Sequence, residues 1–157
     1  MRPYPEELLR ALQSGVAAHF APELRSDYAR AQFAFSMLLF TIAQRDYDTA
    51  VPDLLDANRE LRALLADATR ALSTLDFDAV RGGREALEAL PPPTPSLKLA
   101  DLRSEHEALR AALGALAPLI EPAADVAWLA PLRDVRAKAF AYLAADAKRR
   151  VVPILTM

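Results

Sequence analysis

Apolar residues recur at intervals of three and four over most of this chain, the period of an amphipathic helix, and the recurrence stops at prolines and acid-rich stretches. Leu9, Leu12, Val16 and Phe20 form one stripe behind Pro5, a residue suited to the first helical position. Pro22 opens a second helix that runs through AQFAFSMLLF, residues 31–40, and ends at QRDYDT, where Asp46, Asp48 and Thr49 supply turn and cap chemistry. A third helix follows Pro52, with Leu54, Asn58, Leu61, Leu65, Ala68, Leu72 and Leu75 as a core seam containing one polar member. A fourth carries Leu99, Leu102, His106, Leu109, Leu113, Leu116 and Ile120, again with one polar member. The fifth follows Pro131, turns Leu132, Val135, Ala139, Phe140 and Leu143 inward, and closes on KRR, cations that favour the negative end of the helix dipole.

Between residues 76 and 90 the pattern weakens. Phe77, Val80, Leu87 and Leu90 would line a short helix, but Gly82 and Gly83 in its middle predict a kink or turn. PPPTP, residues 91–95, predicts an extended, semi-rigid crossover, and Val151 to Met157 reads as an apolar tail broken at Pro153. These elements predict an all-α fold in a single domain over residues 1–157: an antiparallel four-helix bundle with an additional N-terminal helix.

The stretch AQFAFSMLLF is apolar on more than one side. At about 100° per residue, Phe33, Met37 and Phe40 fall on one face and Phe35, Leu38, Leu39 and Ile42 on another. A membrane span needs roughly 20 predominantly apolar residues, whereas Arg30 and Arg45 bracket this run and Gln32, Ser36, Thr41 and Gln44 interrupt it. A bundle in one chain buries only one of the two faces. The second is covered either by the N-terminal helix or by another copy of the chain across a two-fold axis. Phe33, Phe35, Met37, Leu39, Phe40 and Ile42 are therefore the interface candidates.

Composition narrows the function classes. With 19 basic and 21 acidic side chains the net charge is -2, and the basic residues are scattered, which argues against nucleic-acid binding. The chain has no cysteine, which removes thiolate chemistry, disulfides and Cys-based metal sites and suits a reducing cytoplasm. The opening MRPYPEELLR has prolines and acids where an export signal needs an apolar run.

Candidate chemistry is sparse. His106 lies on an apolar seam between Glu105 and Glu107, and Asn58 holds the equivalent place on the third helix, where a polar seam residue commonly fixes register. With Arg136 and Asp146 near the inward face of the fifth helix, an interior polar pocket of Asn58, His106, Arg136 and Asp146 is conceivable, and Arg136 can equally snorkel to solvent. A di-metal bundle needs two Glu-x-x-His pairs, but Arg103 and Val16 stand where those glutamates would precede His106 and His19. Met37 and His106 are the only interior pair available to a haem, and no metal or cofactor is expected. RGGR, residues 81–84, lacks the context of a phosphate loop and reads as a surface turn, while Trp128 reads as a staple between the start of the last helix and the bundle.

PEELLRAL followed by PELRSDYARAQFAFSML resembles a family of small bacterial helical proteins of unknown function, encoded near acyl-CoA dehydrogenases and aminoglycoside-phosphotransferase-like proteins. The resemblance covers roughly residues 5–47. Where that family shows a His-Ala-Arg step, this chain has Tyr28, Ala29 and Arg30. The resemblance implies a bacterial accessory protein and no particular activity.

Two readings follow. The leading one is a non-enzymatic cytoplasmic accessory or interaction protein, a homodimer acting through a helical surface, with neither nucleic acid nor membrane as partner. The other is a small-molecule binder or enzyme with its pocket around His106.

Overall fold

The computed structural model describes residues 4–150, the side chains of Asp48 and Arg150 excepted. These residues are all-helical, with α1 at Pro5–Phe20, α2 at Asp27–Ser73, α3 at Arg81–Glu88, α4 at Leu99–Ile120 and α5 at Arg133–Arg150. Short 3-10 turns fill Ala21–Glu23, Asp78–Val80, Glu121–Ala124 and Ala127–Leu132. The expected tail at Val151–Met157 lies outside the described residues.

Local chemistry accounts for the helix starts. Pro5 does occupy the first turn of α1, where the Glu7 carboxylate accepts the Tyr4 N–H at 3.0 Å. Pro22 instead sits in the 3-10 turn, and α2 is opened by Ser26, whose hydroxyl accepts the Ala29 N–H at 3.1 Å.

The two helices expected on either side of Pro52 are one helix of 47 residues, and Asp46, Asp48 and Thr49 lie inside it rather than at a break. Proline's fixed φ is itself helical, and its penalty, one lost N–H donor and a clash with the carbonyl one turn back, is confined to a single turn. Ala- and Leu-rich sequence on both sides carries the hydrogen-bond ladder onward. The chain nonetheless divides close to this proline into two compact units, Met1–Ala50 and Val51–Met157.

In the first unit α1 and the N-terminal half of α2 form an antiparallel hairpin. Gln13 Nε2 donates to Thr41 Oγ1 at 3.2 Å, and Glu6, Leu9 and Arg10 share a depression with Gln44, Arg45 and Tyr47. Glu6, Leu9, Gln13, Gly15, Val16 and Ala17 are the half-buried positions of α1, whereas Leu12 and Phe20, expected on its inward stripe, are 51% and 61% exposed. Among the described residues from 4 to 50, none is fully buried.

The second unit holds the core. Leu61, Leu65, Leu72, Leu102, Leu109 and Leu116 are almost wholly removed from solvent, as both seams predict, and Leu132, expected inward, and Leu129 join them. Helix directions differ from the expected bundle. Asn58 meets Leu102 and His106 at one level, while Leu72 comes within reach of the same glycine, Gly83, as Leu116 and Leu119, so α4 runs parallel to α2. Pairing of Glu60 with Arg149 and Asp67 with Lys138 makes α5 antiparallel to α2. A parallel neighbour requires the chain to return to its starting level, and the segment through PPPTP makes that return.

Three local expectations are also corrected. Gly82 and Gly83 lie within α3 rather than at a kink, and Gly83 is buried because a side chain there would meet Leu116 and Leu119 at 3.0 Å. Phe77 is exposed and packs on Trp128, ring centroids 5.0 Å apart, so this tryptophan makes an aromatic pair at the surface. On α5, Tyr142 takes the inward place expected for Phe140 and Leu143, because the buried stripe runs Leu132, Val135, Ala139, Tyr142, Asp146.

Candidate functional site

The polar seam residues of α2 and α4 meet. Asn58 Nδ2 donates to the Leu102 carbonyl at 3.0 Å, which leaves Oδ1 as an acceptor 2.8 Å from His106 Nδ1. That acceptor fixes the proton on Nδ1. Both residues are buried, at 4% and 7% exposure. Asp146 is buried on α5 and faces Arg110 at 3.6 Å, one turn along α4 from His106. Arg136 does not join them. It is half-buried three turns away along α5, donates through Nε to the Glu121 carbonyl at 3.2 Å, and lays its guanidinium 4.8 Å from the centre of the Phe140 ring.

Beside this layer lies a second polar group that the sequence reading passed over. Glu105 is 8% exposed, and its two oxygens accept from Arg62 Nε at 2.6 Å and from the Thr94 N–H at 3.1 Å. Arg62 also donates to the Pro91 carbonyl at 3.0 Å. The pair thus ties the proline-rich crossover to both α2 and α4. Its signal was available in the spacing, since Leu102, Glu105, Leu109, Ala112 and Leu116 alternate by three and four as strictly as the seam through His106.

These groups satisfy one another within the chain, the pattern expected of buried polar residues that fix register and connection. Arg84 behaves alike. Its guanidinium donates to the Leu72 and Leu75 carbonyls at the end of α2, so RGGR closes a helix terminus rather than offering an anion site. Elsewhere Lys138 bridges Asp67 and Asp134 at 2.7 and 2.6 Å. Lys138 and Arg70 hold the Asp67 carboxyl below its ordinary range, and Asp134 and Asp67 raise the Lys138 ammonium. Among the described residues no group of three His, Asp or Glu could hold a metal ion.

The interface candidates fall into two sets. Phe33, Met37, Phe40 and Ile42 are half-buried, while Phe35 and Leu39 are 56% and 49% exposed. The geometry is simple: Thr41 bonds to α1, and Leu39, two residues earlier, lies about 200° around the helix from it. Tyr28, three-quarters exposed, and Gln32 share the face of Phe35 and Leu39. Leu8 and Leu12 add exposed apolar surface on α1. Among the described residues, no single helix is long and apolar enough to cross a membrane. The chain matches no known family, no curated protein and no solved structure.

Proposed function

We propose that the protein is a helical interaction or accessory protein of the bacterial cytoplasm, without catalytic activity, that works as a homodimer through residues 4–50. One observation carries the reading: this unit presents leucines and phenylalanines on two helices yet contains no fully buried described residue, whereas the unit beginning at Val51 has a dense leucine core. A two-helix hairpin has too little interior to bury its apolar surface, and contiguous apolar surface of this kind marks protein contact sites. Two such hairpins supply four helices, enough to enclose a core between two chains. The bacterial family resemblance over residues 5–47 falls on the same unit.

The test is Leu39→Glu in the full chain, followed by light scattering on the eluting protein. The variant is expected to be a folded monomer and the parent a dimer. Phe140→Glu, an equally exposed apolar position on α5, should leave the dimer intact. A parent protein that is monomeric, or a dimer indifferent to Leu39→Glu, overturns the reading.

A further inference from the structure

The face of α2 opposite Thr41 is not a random scatter of apolar residues. Tyr28, Gln32, Phe35, Leu39, Ile42 and Asp46 follow one another at intervals of four, three, four, three and four, the spacing of a coiled-coil seam, and all but the half-buried Ile42 are exposed. The flanking positions Ala29, Ala31, Ser36, Leu38 and Ala43 are small or apolar, leaving Arg45 as the charged flank. That depletion of charge beside a line of aromatic and aliphatic side chains is the composition of an interface centre.

We infer that this seam pairs antiparallel with the same seam of a second copy, across a two-fold axis at the level of Met37. This rests on the proposed homodimer and specifies its geometry. In an antiparallel coil each layer joins the two kinds of seam position. An axis at residue 37 produces such layers throughout: Phe35 faces Leu39, Gln32 faces Ile42, and Tyr28 faces Asp46. The central layer is wholly apolar and occurs twice. The outermost places a phenol, a hydrogen-bond donor, against a carboxylate, which accepts.

The parallel arrangement is worse on three counts. It sets Asp46 against Asp46, like charges at close quarters, and Gln32 against Gln32. It also brings the roughly hundred residues that follow α2's seam in each copy to the same end of the coil.

The available area fits. Taking about 200 Å² for each exposed aromatic or leucine, the fractional exposures of Tyr28, Phe35 and Leu39 leave on the order of 350–400 Å² of mostly apolar surface on this seam. A standard interface takes roughly 800 Å² from each partner, a little over half of it apolar. The seam supplies most of that apolar share, and Leu8 and Leu12 of α1 add to what each copy can offer.

Because the chain has no native cysteine, disulfide mapping reads this geometry directly. Gln32→Cys and Ile42→Cys are made in separate full-length chains, one of them tagged, then mixed and oxidised. Antiparallel pairing brings residue 32 of one copy opposite residue 42 of the other. Two copies of residue 32 are then separated by about ten residues of helix, roughly 15 Å, beyond disulfide reach. The expected result is a heterotypic product exceeding either homotypic one by about tenfold. Dominant Gln32→Cys self-linkage would overturn the antiparallel seam while leaving the homodimer standing. A dimer by light scattering in which neither product forms would place its contact elsewhere and also overturn the seam. A monomer would overturn both inferences.

Discussion

At the residue scale, Asn58 and His106 each keep the other's polar atoms satisfied inside an apolar core, so their substitutions should be coupled. Asn58→Ala strips the His106 Nδ1–H of its acceptor and is expected to cost about 1–3 kcal/mol. Replacing both with leucine removes the demand along with the supply, so the double variant should lose less than the sum of the single losses. Denaturant unfolding of the four proteins measures the coupling. Strict additivity would mean that the 2.8 Å contact contributes nothing. The two residues were legible in the sequence because each is the sole polar member of a three-four seam. Spacing alone left Arg136 two places, in this layer or snorkelling outward, because a long cationic side chain near an inward stripe can reach sideways to a carbonyl and an aromatic ring without entering the core.

At the scale of the element, α3 sets two adjacent glycines in opposite surroundings. Gly82 faces open space, and Gly82→Ala should stabilise by about 0.5–1 kcal/mol through helix propensity and a less disordered unfolded chain. Gly83 stands where a Cβ would touch Leu116 and Leu119 at 3.0 Å, and Gly83→Leu should destabilise by about 1–3 kcal/mol through overpacking. Thermal unfolding separates the two. Equal effects would show that close approach of α3 to α4 is not what requires Gly83. A glycine pair reads in a sequence as flexibility, because composition does not reveal that one glycine is spacing and only the other is contact. The continuity of α2 was hidden for a related reason. Pro52 and the acidic residues before it are break signals locally, but a helix long enough on both sides outlasts the loss of one hydrogen bond.

For the whole molecule, seam spacing identified the leucine cores of α2 and α4 but not their relative direction, since parallel and antiparallel pairs bury the same stripes. The parallel choice follows from where the crossover ends, pinned by Glu105 to Arg62 and Thr94. The same inequality of burial that suggests a partner also predicts how stability is distributed. If residues 27–46 are ordered through a second copy, their protection depends on protein concentration, because binding that favours the folded form stabilises by mass action. The leucine layer from Leu61 to Leu72 gains nothing from association, being buried within its own unit. Amide hydrogen exchange read by mass spectrometry at concentrations above and below the dimer's dissociation constant should therefore show faster exchange on dilution across 27–46 and unchanged exchange across 61–72. Leu39→Glu should bring the first segment to its dilute rate at every concentration. Uniform behaviour of the two segments would mean that the hairpin is stable without its partner, and the unburied face would lose its claim to be an interface.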